Sequence, residues 1–544
     1  MAVTLTESIT YKRLVAAGND KLFYEDLDVA AGTMTELAAA DGDIDTSDQL
    51  QMFEAYQKVF IVNGANLKIA DFVNTKLEFA AGLATAHAHG DILTQTQSAG
   101  NVAYMVVDFT DTDKKLTYGY AYYAGTATAF NTTTAITGSG SGTGFTPTSV
   151  TAKPHWYNYT VYPGGTFGTL PNKAYLGCLY RGRIVLSGNP EAPFQWYMSR
   201  QADPFDRAWA ANDSQSPVEG GSSDAGELGD IVRALIPFKD DYLVFGCASQ
   251  MWLMTGDPAF GGVINEMSLT TGIFGANSWC FDNQDRMYFW GNNGIYRTTV
   301  PGNPVCISNV RLPDLVGDEA ADPSTHRITM VYDRDRHGIN ICVTKLSDGT
   351  NSNYWYDLRV IDEGDIGGFF PESYPEECGV YSAFYYNANS ATYKGMLYGC
   401  KDGYIRTFKD ASKSDDIGGS DEAISSYVTI GPIRPVGVEL QGIISGINVV
   451  LSGGASGGSQ TDSSNVTMKI FSALSAENLI EKMYANTAFR LSTTITAPGR
   501  QRGATIQRKM RDAFFGIRLE NSTAAQSWSL EELTLLGTPS GRIK

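Results

Sequence analysis

An all-β chain built on a β-propeller of about seven blade-like units is what the sequence predicts, and three observations predict it. First, one hairpin pattern recurs: a charged lead-in, an apolar strand, a turn that usually carries Gly, and a second strand rich in aromatic residues. Second, apart from one wide gap, the copies recur every ~45–60 residues, close to the period of propeller blades. Third, Gly 57, Tyr 29 and Phe 25, with abundant Thr and Ser, suit many short strands joined by tight turns. A single blade cannot bury both of its apolar faces, so several must stack around an axis.

The pattern is clearest from Tyr180 to Trp209. There Ile184–Leu186 is predicted to stop at Ser187-Gly-Asn-Pro190, and Phe194–Met198 to form the second strand. Other copies begin at Lys12, Gln57, Lys239, Asp285 and Lys394, and a looser one with a longer turn begins at Asp335. Residues 1–85 are read as the first part of the propeller, with a helix expected at Ser47–Tyr56 capped by Ser47 or Thr46. The gap between Gly64 and Gly188 implies an inserted small β-barrel or sandwich at 86–158, containing Val102–Phe109, Leu116–Tyr123 and the flexible Gly138–Gly144. Such a module projecting from a propeller is expected to contact a partner. Blades resume over 159–412, and Ser412–Glu422 marks a boundary. Residues 413–544 read as a C-terminal β-sandwich, with strands expected at Val436–Leu451, Val466–Phe471, Phe489–Ile495, Ala513–Glu520 and Trp528–Leu536.

Apolar content of 43% permits a sizeable core, and a net charge of −18 argues against a general nucleic-acid binder. A surface past which DNA slides without sticking remains compatible with that charge. The seven cysteines (Cys178, Cys247, Cys280, Cys306, Cys342, Cys378 and Cys400) include no CxxC pair and sit in or beside apolar strands, as small hydrophobes do. Folding in a reducing cytoplasm is the simplest reading. The N-terminus shows no secretory signal, and no apolar stretch approaches the ~20 residues of a membrane helix.

Asp41, Asp43, Asp45 and Asp48 begin like a calcium loop, but Thr46 replaces the turn glycine and Met52 the bidentate Glu, so a solvated acidic loop is expected. His87 and His89 are read as a surface pair; His155, His326 and His337 are isolated. Ser414-Asp-Asp-Ile-Gly approaches a sialidase Asp-box, yet Asp421 stands where Trp is required. Asp282, Asp285, Asp333 and Asp335 fall in predicted turns, where Asp bonds locally. Gly454-Ala-Ser-Gly-Gly matches a nucleophile elbow in letters only, since no helical pattern follows. No catalytic, cofactor-binding or metal-binding residue is therefore assigned. From Arg490 to Arg518 there are seven basic residues and one acid, Asp512, which read as a solvated face or as a docking patch for an acidic neighbour.

Several of these stretches resemble the propellers of tailed-bacteriophage tail proteins: Tyr180–Gly188, Trp196–Asp206, Ile236–Gly246 and Met287–Tyr296. Phe515–Ser522, Trp528–Glu531 and Pro539–Lys544 resemble their final strands. The nearest functional type is the tail nozzle, or tail tube, of short-tailed phages; the insertion lies outside the resemblance. The resemblance implies a structural virion protein without an active site or cofactor, assembled in the host cytoplasm as a homohexamer. Its ring would dock below the adaptor and portal, conduct DNA during ejection and anchor fibres or appendages. A peripheral receptor-binding or baseplate propeller is the rival, and a glycan-active propeller enzyme a more distant one.

Overall fold

All seven recurring hairpins form, and each supplies the second and third strands of a separate antiparallel sheet. The computed structural model describes residues 1–6, 9–26, 33–37, 44–138, 143–161, 168–220, 226, 228–359, 367–408, 412–437, 440–451, 466–495 and 510–542. The described residues divide into two compact units: a propeller of residues 1–371 and 379–407, and a second unit of residues 372–378 and 408–544.

Seven blades make the propeller among the described residues. Their first strands are Ala2–Thr6, Gln51–Ala55, Leu176–Tyr180, Val232–Phe238, Trp279–Phe281, His326–Asp333 and Val380–Tyr386. Among the described residues blades 1 to 6 have four strands and blade 7 has three. First strands of successive blades approach one another, which makes them the inner strands around the axis. The apolar clusters lie between blades. Trp196 and Met198 of blade 3 pack with Leu243 and Phe245 of blade 4, and Tyr288 and Trp290 of blade 5 with Met330 and Ile341 of blade 6.

This two-sided burial explains a helix that does not form. Residues 46–48 make a turn, and Gln51–Ala55 is the inner strand of blade 2, in register with Lys58–Val62. Met52 packs toward blade 1 while Phe53 stacks on Phe60 at 5.5 Å in the cluster shared with blade 3. A strand covered on both faces shows no polar alternation, and tertiary pairing overrides the helix-forming letters. Tyr56 and Gln57, both at positive φ, close the tight turn that fixes the register. The blade 3 hairpin also turns later than expected. Gly188 is a bulge at φ 74°, and Asn189 pairs with Ala192 across Pro190-Glu191. Inner strands pass closely at Gly177, where a Cβ would come within 2.2 Å of the Phe53 ring.

Hydrogen bonds between the last blade and the first close the ring. The Asn389 amide donates to Lys12 O and accepts from Lys12 N, both at 3.0 Å, so a side chain continues the ladder of the Thr10–Gly18 strand. Tyr386, on the inner strand of blade 7, donates its hydroxyl to the buried Glu25 of blade 1.

The insertion enters between the third and fourth strands of blade 2. Its seven-stranded sheet runs in the order Thr143–Phe145, Ile136–Gly138, Ile92–Ser98, Asn101–Thr110, Leu116–Ala124, Thr75–Glu78, Ser149–Thr151. Its edges thus fall at Thr75 and Thr151 rather than at 86 and 158, and His155–Asn158 belongs to blade 2, paired with Lys68–Asp71. The sheet curls over its own core of Leu77, Leu93, Met105, Val107 and Ile136, onto which Phe145 and Val150 pack from its two edges.

A buried ionic network mounts it on the blade. Lys58 reaches Asp71 of its own blade at 3.4 Å and Asp108 of the insertion at 2.7 Å. Asn74, in the connecting segment, donates to both carboxylates at 3.0 and 2.8 Å, and Tyr157 donates to Asp71 at 3.0 Å. Burial pushes the Asp71 carboxyl up, but Lys58, His155 and the backbone donors outweigh it and hold it below its ordinary value. Burial pushes Lys58 down, and Asp71 with Asp108 raise it above its ordinary value.

The second unit holds two packed sheets. One runs Ser426–Ile433, Phe514–Asn521, Val466–Ala473, Leu491–Ile495, and the other Met510–Asp512, Leu440–Leu451, Leu530–Arg542. Ile447, Val449, Met468, Ile470, Phe515 and Ile517 fill the space between them, which makes a β-sandwich. The helix Ala476–Tyr484 is additional. Ser475 caps it by accepting from Asn478 N, and Leu479 and Met483, four residues apart, pack on Phe471.

Two expectations follow. Tyr386→Phe leaves Glu25 without its donor at the ring closure and lowers stability by about 1–3 kcal/mol, read as the denaturant midpoint. Asp71→Asn removes one of the two carboxylates that face buried Lys58, leaving Asp108 at 2.7 Å, and costs roughly 1–3 kcal/mol at neutral pH. The folded Asp71 pKa is lowered, so this contribution is complete above the unfolded value of about 3.9 and is lost as pH falls through the folded one. The Lys58 contribution is complete below about 10.4 and is lost as pH rises through its raised folded value. Equal midpoints for wild type and Asp71→Asn at pH 7 would contradict the network's role.

Candidate functional site

Alternation along the inserted sheet separates an inner face from an outer one. Met105 pairs with Leu93 and Ala121 on the inner face, whereas Val106 pairs with Ile92 and Tyr120 on the outer. The next outer row places Tyr104 opposite Thr94 and Tyr122, and the two tyrosine rings stack at 5.0 Å. Ile92, Val106, Tyr120 and Tyr122 are exposed by 36–44%. Lys153 lies over the Tyr120 ring at 5.4 Å. The result is a contiguous aromatic and β-branched patch on a regular sheet. Tyrosine-rich patches suit protein contacts, since the ring supplies apolar area and the hydroxyl a hydrogen bond. The Asp71–Lys58–Asp108 network and the packing of Phe109 on Tyr118, Tyr157 and Phe205 set the sheet's orientation on blade 2.

A second feature lies on the propeller axis, where several inner strands begin. A cavity of about 340 Å³ is lined there from blades 2 to 6, by Asp48, Tyr175, Arg233, Asn277, His326 and Arg327 among others. Tyr175 donates to Asp48 at 2.6 Å, and this bond to a carboxylate, with burial, pushes its phenol up to about 12. Burial holds the Arg327 guanidinium below its ordinary value against the opposing influence of Tyr381 and Asp48.

The sequence-level candidates are dispersed. Asp45 caps a turn by accepting from Ser47 N at 2.9 Å, and Asp48 holds Tyr175; Asp41 and Asp43 lie outside the described residues. His87 and His89 are not a surface pair. Their segment is irregular rather than a strand, and His87 is buried with its ring 4.8 Å from Phe145, while exposed His89 stands 2.9 Å from Asp108 O. Burial lowers the pKa of His87 and of His155, whose Nε2 is 3.1 Å from Asn74 O. His326 reaches the axial cavity and His337 sits in a hairpin turn at φ 56°.

Of the four turn aspartates, Asp282 and Asp333 bond locally, while Asp285 and Asp335 reach neighbouring blades. Asp282 binds Arg286 at 2.7 Å and Asp333 accepts from Asp335 N at 2.9 Å. Asp285 pairs with Lys239 at 2.7 Å, and Asp335 accepts from the Tyr385 hydroxyl at 3.2 Å. Ser414–Asp421 falls on an exposed hairpin, Asp415–Ile417 with Ser420–Glu422. Most of Gly138–Gly144, the Gly454–Gly458 stretch, and Arg500, Arg502, Arg508 and Lys509 lie outside the described residues. Of the basic run, Arg518 binds Glu520 at 2.7 Å and stacks 3.8 Å from the Tyr427 ring. All seven cysteines are free thiols and six are buried; burial pushes Cys247 up to about 12.

Arg183, in the stretch where the hairpin pattern is clearest, has a role that its neighbours in sequence do not reveal. Fully buried, it donates to Ser199 O, Ser214 O, Gln215 O and Ser216 O at 2.7–3.2 Å and pairs with Asp257 from blade 4 at 3.1 Å. It staples a long loop and two blades together. A charged residue that opens an apolar strand was the available signal.

No protein-family model and no curated protein matches the chain. Among solved structures it is similar to apo AztD from Citrobacter koseri, at 11% identity and a TM-score of 0.21, over 68% of this chain and 94% of that one. It is also similar to a glycoside hydrolase, at 9% identity and a TM-score of 0.18, over 82% of this chain and 96% of the other. Likenesses this distant carry no argument about activity. The chain is a β-propeller with an inserted β-sheet and a β-sandwich on the strength of its own strand topology.

Proposed function

We propose that this chain is a structural subunit of a virion, the tail nozzle of a short-tailed bacteriophage, acting through assembly and not through catalysis. The observation that carries the reading is the outer face of the inserted sheet, where Tyr104, Val106, Tyr120, Tyr122 and Ile92 form an aromatic patch on a rigidly mounted module. A patch of this kind is the ordinary material of protein–protein contacts. The stretches resembling tail proteins, Tyr180–Gly188, Ile236–Gly246 and Met287–Tyr296, fall on strands of blades 3, 4 and 5, so the resemblance follows the ring's architecture. In this reading six copies form a ring below the portal and adaptor, DNA passes through its channel, and fibres or appendages attach outside. A net charge of −18 suits a conduit that does not grip DNA.

The test is the mass of the purified chain, alone and with its head–tail neighbours, by analytical ultracentrifugation. The expected species is a hexamer. A strict monomer under both conditions would overturn the nozzle reading, and a trimer would favour the peripheral receptor-binding rival. A Tyr120→Ser, Tyr122→Ser double variant is expected to keep the wild-type circular dichroism spectrum and unfolding midpoint. It should also lower the assembled fraction about tenfold or more, as loss of interface tyrosines does.

A further inference from the structure

The axial cavity of the propeller holds two cations that the rest of the fold does not use. Arg233 is the second residue of the inner strand of blade 4, and Arg327 the second residue of the inner strand of blade 6. Both line the cavity of about 340 Å³. Neither guanidinium makes a hydrogen bond or an ion pair among the described residues; Arg327 rests only over the Tyr381 ring, at 5.1 Å. Two carboxylates stand near enough to be felt, and both are engaged elsewhere. Asp48 accepts from the Tyr175 hydroxyl at 2.6 Å and from Gln49 N at 2.7 Å. Asp322 accepts from Ser324 N at 2.8 Å and from Ser324 Oγ at 2.5 Å.

This arrangement runs against the rest of the chain. The protein carries a net charge of −18, yet its axial cavity is lined by two arginines against one aspartate. Removing a guanidinium from water is costly unless a partner replaces the lost hydration. Elsewhere the fold meets that requirement: Arg183 has four carbonyls and Asp257, and Arg406 binds Asp402 at 2.7 Å. Arg327 has an aromatic ring and an open cavity instead. A guanidinium presents a planar fork of N–H donors that matches the two oxygens of a carboxylate or phosphate group. The cavity volume is at the lower end of the ~300–1,000 Å³ typical of small-molecule sites.

We propose that this cavity binds a small oxyanion, the phosphate or carboxylate group of a solute, between Arg233 and Arg327. The bound group supplies the counter-charge that Asp48 and Asp322 do not. Because the lining comes from the ends of inner strands on five blades, the ligand also ties those blades together and stabilises the folded ring.

Isothermal titration of the full chain with inorganic phosphate, and separately with malonate, tests this at constant ionic strength with chloride as the balancing anion. Saturable binding of about one anion per chain is expected for at least one probe, with a rise in the thermal midpoint that saturates at the same concentration. Binding of phosphate alone identifies a phosphate-bearing solute, and binding of malonate alone a carboxylate. Arg327→Gln is expected to weaken binding about tenfold or more, since charge-assisted bonds are lost. Arg327→Lys, which keeps the charge without the fork, is expected to fall between. Arg233→Gln gives the same readout if Arg327→Gln does not fold, and Lys173→Gln, outside the cavity, is expected to bind as wild type does. The proposal is overturned if neither anion binds saturably. It is equally overturned if binding persists unchanged in a folded Arg327→Gln or Arg233→Gln chain.

Discussion

Each blade of this propeller depends on its neighbours because its sheet is apolar on both faces. The clusters that join blades 1 to 6 each straddle a pair of adjacent sheets. A ring of such sheets has no free end only if the last blade meets the first. Here that meeting is polar: Asn389 extends the ladder of blade 1 through its side-chain amide, and Tyr386 donates to buried Glu25. Hydrogen bonds are directional, so the closure fixes one register where an apolar contact alone would tolerate sliding. The partners lie more than 360 residues apart in sequence, so the closing contacts are among the most non-local in the chain.

The insertion makes a second demand on the same framework. A domain entering between two strands of a blade is held by two connections close together, which leaves its orientation free unless something sets it. The Lys58–Asp71–Asp108 cluster sets it, with Asn74 bridging both carboxylates and the Phe109 ring packed against Tyr118. Charges buried this way contribute little net stability against an apolar replacement, but leaving one unpaired is heavily penalised, which favours a single geometry. An aromatic outer face presented at a defined angle is useful to an assembly; one on a loose tether is less so.

What the sequence revealed followed turn chemistry. Each recurring hairpin was visible because its tight turn and flanking strands left a local signature, whereas the strands of the sandwich were visible as long β-prone runs. Local signals failed where burial was decided by distant sheets. Gln51–Ala55 carried helix-forming letters, but Met52 and Phe53 are claimed by opposite neighbours. His87 stood in an Ala- and Gly-rich stretch with no strand pattern yet lies against Phe79 and Phe145. The helix Ala476–Tyr484 did leave a signal, the Ser475 cap followed by Leu479 and Met483. It was obscured by the β-prone runs on either side. The axial arginines left none, since Arg233 and Arg327 are brought to one cavity only by closure of the ring.

In the proposed assembly the outer face of the inserted sheet is a protein interface. Cryo-electron microscopy of the assembled particle, at a resolution that places side chains, tests it most directly. The expected result is a sixfold ring with an axial channel wide enough for duplex DNA, in which Tyr104, Tyr120 and Tyr122 are covered by a neighbouring protein chain. A particle in which those three tyrosines face solvent in every copy would contradict it.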